Sequence, residues 1–183
     1  MSAYTHPAYR EEKEHLDRTL KAVDAELTLA ETEKQSAEAE LKYARAFDPD
    51  KLPIREILFV KAMQTEKNMV LAHRKPYFTR INFTERGKGE RVYYIGKYGV
   101  MDSSSLESVV IDWRAPLANL YYSGQLGHVE YTAPDGAVSG ELTLKRQFDI
   151  LDGEILSIFD TDIVSQDAYL QSALNAMNGE RLK

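Results

Sequence analysis

The sequence predicts an α+β protein: a long antiparallel helical hairpin, paired as a coiled coil and attached to a small twisted antiparallel β-sheet or open barrel, with a C-terminal helix. Three observations predict it. Apolar and small residues recur at alternating spacings of four and three from Leu16 to Ala44, with no Gly or Pro between them. Pro49 and Pro53 then break the run and reverse the chain. From Phe78 the period changes to two, punctuated by Gly87-Lys88-Gly89, Pro134-Asp135-Gly136 and Asp152-Gly153.

The first helix starts near Ala8. Its seam is Leu16, Leu20, Val23, Leu27, Ala30, Lys34, Ala37, Leu41 and Ala44, with Lys34 as the one violation. Pro53 suits the first turn of the second helix, which runs from about Ile54 to about His73. Leu58, Ala62, Thr65, Met69 and Ala72 repeat the spacing there, and Phe59, Met63 and Val70 widen the apolar face. At 1.5 Å per residue the helices measure ~57 Å and ~32 Å. Only Leu27 to Phe47 can pair with the shorter helix, so the first half of the long one must lie along the body or against a region outside this chain.

Lys75-Pro76 ends the hairpin. Strands follow over Phe78–Thr84, Arg91–Val100, Val129–Thr132, Glu141–Ile150 and Ile155–Asp160. Gly96 and Gly99 mark a bend in the second of these. Ser108 to Asp112 carries three β-branched residues in a row and reads as the central strand, buried on both faces. Trp113 follows between Asp112 and Arg114, and Pro116 ends the strand. These four residues form a structural motif in which Asp112 and Arg114 share a face. Leu117–Ser123 is open between a helical turn and a strand. The last helix is expected over Ser165–Met177, with Gly179 to stop it. The chain closes on Glu-Arg-Leu-Lys, and it is expected to be a piece of something longer.

The 183 residues suffice for one domain and an appendage, and 43% of them are hydrophobic, enough for a real core. Cysteine is absent, which excludes disulfides and thiolate metal sites and fits a reducing compartment. No apolar run suits a signal peptide or a membrane span, so a cytoplasmic location without membrane attachment is expected. Residues 1–75 hold 13 basic against 14 acidic residues, and residues 76–183 hold 10 against 15. Neither part has the basic excess of an autonomous phosphate-backbone binder.

No Walker loop and no Gly-x-Gly-x-x-Gly loop is present, so no cofactor site is expected in this chain and no triphosphate hydrolysis. The four histidines lack metal-ligand spacing. Asp160-Thr161-Asp162 offers hard oxygens for a cation but also suits a helix cap. The tip between the helices is the other candidate site. It sets Asp48 and Asp50 at the far end of the arm, with Lys51, Arg55 and Glu56 beside them. The acids there either stop and cap helices or form a carboxylate tip that reaches into a cavity.

Several segments occur in one order: Lys75-Pro76-Tyr77-Phe78, Arg80-Ile81-x-Phe83, Tyr94-Ile95-Gly96-x-x-Gly99, Asp112-Trp113-Arg114-Ala115-Pro116 with Tyr121-Tyr122, Gly140-x-Leu142-x-Leu144-Lys145-Arg146-Gln147, Asp160-Thr161-Asp162 and Leu170-Gln171. This set resembles the N-terminal region of HelD-type proteins, superfamily 1, UvrD-like helicase ATPases that bind bacterial RNA polymerase. The resemblance implies that residues 1–75 form an arm, 76–164 a β domain and 165–183 a helix leading into a downstream ATPase domain, where ATP and magnesium belong. It also implies docking of the arm in the secondary channel of core RNA polymerase as a wedge that helps release nucleic acid and recycle the enzyme. Asp48 and Asp50 fall at the acidic tip. The family arm is often longer, so the ~30 Å of paired helix here implies channel docking more than contact with the catalytic metal. Nucleic acid would be met mainly through the full-length protein, and the chain itself would be a monomer or weak dimer. The alternative reading is a DNA-binding accessory domain of a superfamily 1 repair helicase, and a third is a small β-domain enzyme using Asp112 and Arg114.

Overall fold

A computed structural model describes residues 3–122 and 125–161. The chain is α+β. Helix α1 spans Tyr9–Phe47, and after a 3-10 turn at Pro49–Lys51 helix α2 spans Leu52–Arg74. Both begin and end within two residues of the positions that the proline pair and Lys75-Pro76 predict. Seven strands follow: β1 (Thr79–Glu85), β2 (Glu90–Gly96), β3 (Val100–Met101), β4 (Ser108–Asp112), β5 (Gly127–Ala133), β6 (Gly136–Leu151) and β7 (Glu154–Thr161). Residues 117–122, ambiguous in sequence, form a 3-10 turn at Pro116–Ala118 and the short helix α3 (Asn119–Tyr122). The expected C-terminal helix over 165–183 lies outside the described residues.

The strands form one open, mixed sheet in the order β3-β4-β2-β1-β6-β5, with β7 also on β6. The sixteen-residue β6 is the spine. It pairs with β1 on one side and with β5, then β7, on the other. The Asp152-Gly153 turn has both residues at positive φ, 48° and 85°, as a tight I′ hairpin requires.

Two expectations are corrected here. The sheet is not wholly antiparallel, because β2 and β4 run parallel through Ile95–Ile111 and Gly96–Asp112. And β4 is not central: it lies next to the two-residue edge strand β3, while β2, β1 and β6 lie inside. The run Val109-Val110-Ile111 suggested full burial, yet only Val110 is buried and its neighbours are half-covered. Three β-branched residues report a strand, but not how many strands flank it.

The sheet is covered on both faces. On one, Leu16 and Val23 of α1 and Met69 and Ala72 of α2 pack on Tyr77, Tyr94, Val110, Phe148, Ile150 and Ile158. On the other, Ile81, Phe83, Ile95, Val129 and Leu142 meet Ala118 and Leu120. The alternation of Tyr94 and Ile95 between the two clusters is the period-two signature of a strand with two apolar faces. Of the two expected alternatives for the first half of α1, the sheet is the one it takes. Its buried residues are Glu12, Leu16, Thr19 and Val23, again at spacings of four and three.

Candidate functional site: a helical arm and its buried root

Beyond the sheet, α1 and α2 run antiparallel, and polar side-chain pairs mark their register. Asp24 meets His73 at 3.2 Å, Lys34 meets Glu66 at 2.6 Å, Glu40 meets Arg55, and Arg45 meets Glu56 at 3.6 Å. Lys34, the violation of the apolar seam, thus has a carboxylate facing it. The inward face of α2 differs from the expected one. Arg55, Phe59, Ala62, Glu66 and Met69 are turned toward cover, while Leu58 and Thr65, and Met63 and Val70 of the expected wider face, are exposed. A template that counts only apolar positions skips the charged residues that face the partner helix.

At the tip, Asp48 accepts an ion pair from Lys51 at 2.8 Å and closes the turn. Neither Asp48 nor Asp50 caps α2 with its side chain. Arg55 and Glu56 are turned back onto α1. Asp50 is exposed and has no ion pair among the described residues. The five tip residues are therefore close in space, but four of them stitch the arm together and one carboxylate is left facing solvent.

At the root, sequence reasoning missed the principal device. Glu12 on α1 is 0% exposed. One of its oxygens, Oε1, accepts from Arg80 Nη1 of β1 at 2.7 Å and from Arg146 Nη1 of β6 at 2.6 Å. The other accepts from the Tyr94 hydroxyl of β2 at 2.9 Å. Arg80 Nη1 also reaches Glu11 at 2.7 Å, and Arg146 grips Asp160 of β7 with two bonds of 2.6 and 2.8 Å. One carboxylate thus ties α1 to three strands, and a second ties in a fourth. Two arginines offset the charge of one fully buried carboxylate, which alone would be costly to bury.

The surroundings tune these groups. The Tyr94 hydroxyl is raised above its ordinary value by burial and by the Glu12 charge. Burial raises the Asp160 carboxyl, but the Arg146 guanidinium, with His6, outweighs this and holds it below the ordinary range. His15 stacks on Tyr94 at 3.5 Å between ring centres, with 10° between the planes. Burial first, then the Arg18 and Arg80 charges, push the His15 imidazole down to about 4.

The signal for this hub was present but unread. Arg80 and Arg146 occupy strand positions that alternate onto the helix-covered face, and such arginines need an acid. Glu12 sits four residues before Leu16 on the buried stripe of α1. Among the acids of that first turn it looked like one more solvated charge.

The Asp112 motif has its own geometry. Asp112 accepts from Arg114 Nε at 2.9 Å, from Nη2 at 2.6 Å and from the Arg114 amide at 2.8 Å. The Arg114 guanidinium beside it holds the Asp112 carboxyl below its ordinary value. Its acceptor sites are thereby committed to shaping the turn, which counts against a catalytic carboxylate there. Trp113 is 46% exposed and meets Tyr122 edge-on at 6.4 Å. Pro116 opens the following 3-10 turn. Gly96 is needed for close approach, since a Cβ there would lie 2.3 Å from the Pro76 carbonyl oxygen.

Among the described residues, no three His, Asp or Glu side chains converge as a metal-ligand set, and no helix is long and apolar enough to cross a membrane. Residues 9–173 match the family model described as DNA helicase IV HelD, N-terminal domain. No curated protein matches the chain. The match takes in both helices of the arm, the hub and the Asp112 motif, and the chain belongs to the HelD N-terminal domain family.

Proposed function

We propose that this chain is the non-catalytic N-terminal part of a helicase-like ATPase and acts as a partner-binding wedge. In this reading residues 1–75 are a coiled-coil hairpin that docks in the secondary channel of bacterial core RNA polymerase. Residues 76–164 are its base, and 165–183 join it to a downstream domain that holds ATP and magnesium. Entry of the arm helps release nucleic acid from the cytoplasmic polymerase and recycle it. Asp48, Asp50, Lys51, Arg55 and Glu56 form the contact end, with Asp50 as the free carboxylate.

The observation that carries this reading is the root. A helix of 39 residues, ~58 Å long, has its first turns locked through Glu12 to Arg80, Arg146 and Tyr94. A contact at the distal end is thereby coupled to the sheet through a stiff rod and a buried anchor. An arm that works by occupying space needs that stiffness and needs no reactive group.

The test is retention of the 183-residue chain on immobilised core RNA polymerase, beside an ATPase assay. Binding without ATP hydrolysis is expected, weakened by Asp48→Ala with Asp50→Ala. No retention at any concentration would remove the wedge reading. The competing reading, a DNA-binding accessory domain, predicts a salt-sensitive gel shift of forked or single strands. The excess of acid over base in residues 76–183 favours the polymerase reading.

A further inference from the structure

The face of the sheet opposite the arm carries an open row of aromatic rings. Phe78 meets Tyr121 at 5.9 Å, Tyr121 meets Tyr122 at 5.2 Å and Tyr122 meets Trp113 at 6.4 Å between ring centres. Phe159 of β7 shares this face, because it stands opposite Gln147, whose side-chain amide donates to the Tyr121 hydroxyl at 2.7 Å. Trp113 is 46% exposed, Tyr122 53% and Phe159 52%. Large rings gathered on one surface mark a place where another element packs. Neither the arm nor its buried root uses them.

The last described residue, Thr161, lies on that same face. It pairs with Lys145, whose ammonium sits 5.2 Å from the centre of the Tyr121 ring. The HelD N-terminal domain itself runs on to residue 173. Residues 162–178 include Leu170, Ala173, Leu174 and Met177, spaced as one side of a helix, and carry Asp162 and Asp167 but no base. Apolar side chains suit the ring row, and the acids suit Lys145 at its edge. Four extended residues after Thr161 cover up to ~13 Å, more than the ~5 Å between neighbouring strands. A helix over 165–177 would be ~20 Å long, enough to span the row from Tyr121 to Trp113. A segment tethered this closely meets the row at an effective concentration on the order of millimolar, which favours it over any free partner.

We infer that residues 165–177 of this same chain dock on the row from Tyr121 to Trp113 with their apolar side inward. The inference does not depend on polymerase binding.

Trp113 is the only tryptophan of the chain, so its fluorescence reports on the row alone. In the full chain its emission is expected to be blue-shifted and shielded from acrylamide. Leu170→Asp with Leu174→Asp is expected to red-shift it and to raise the quenching constant about twofold, as the docked population gives way to the free one. Circular dichroism melts verify that the fold is kept. A second measurement avoids buried charge. The chain has no cysteine, so Leu170→Cys takes a single bimane label, which indole and phenol rings quench on contact. Trp113→Phe with Tyr122→Phe is expected to brighten that label. Equal quenching of Trp113 in wild type and the aspartate variant overturns the inference, as does a label that the ring replacements leave unchanged. Bimane quenching that grows with chain concentration between about 1 and 100 µM reports a second copy's segment and overturns it as well.

Discussion

The Glu12 carboxylate and the Arg146 guanidinium lie 2.6 Å apart and join α1 to β6 across 134 residues of sequence. Arg80 shares the same oxygen from β1. Removing the acid strips two largely buried arginines of their shared buried partner and leaves each with one outer carboxylate, Glu11 for Arg80 and Asp160 for Arg146. Glu12→Ala is therefore expected to destabilise the fold by about 3–5 kcal/mol in urea denaturation. Glu12→Leu with Arg80→Met and Arg146→Met is expected to recover most of that loss, because an apolar set of similar volume needs no partner charges.

Stability should fall on acidification through His15. Its folded value is about 4, below the ordinary 6.5, so between these values the unfolded chain binds the proton and the folded chain does not. The stability contributed by neutral His15 is complete above pH 6.5 and is lost as pH falls toward 4. The loss is on the order of 2–3 kcal/mol, discounted for partial exposure. Chemical denaturation at a series of pH values reads it, and His15→Gln is expected to flatten the slope in that window. Below it, the depressed Asp160 carboxyl adds a further loss as it is protonated.

The Tyr77 hydroxyl is buried with no hydrogen-bond partner among the described residues. Its ring packs edge-on against Tyr94 at 4.9 Å and Phe148 at 5.3 Å. Tyr77→Phe keeps those contacts and removes the stranded oxygen. It is expected to raise stability by about 1–2 kcal/mol, read as a higher melting temperature.

Lys34 and Glu66 cross the arm at 2.6 Å, and both are partly covered. Replacing both with leucine continues the apolar seam on each helix. The double variant is expected to melt higher than wild type, and Lys34→Ala alone to cost about 1 kcal/mol or less.

Much of the fold was legible because local chemistry decides it. The proline pair ended one helix and started the next, and Asp152-Gly153 set the turn between β6 and β7. What failed had a common cause, which is that the answer lay in residues far apart in sequence. Three β-branched residues at 109–111 cannot report that β4 pairs with β2 in parallel. The apolar count on α2 chose Leu58 and Thr65, while Glu66 and Arg55 took the inner positions because Lys34 and Glu40 wait there. Glu12 becomes legible only when Arg80 and Arg146 are placed on the same face of the sheet. Arg80 and Arg146, read first only as landmarks of a resemblance, root the arm, and Asp160, read as a cation ligand or a helix cap, instead holds Arg146 in place.

The central claim is that the arm acts by inserting its tip into a partner. Because the chain has no cysteine, Asp50→Cys supplies a unique thiol for a photo-cross-linker at the far end of the arm. With core RNA polymerase the account predicts one dominant cross-link, mapping by mass spectrometry to the walls of the secondary channel and lost when the channel is blocked by another factor. Cross-links scattered over the polymerase surface, or none under conditions where the chain is retained, would contradict it.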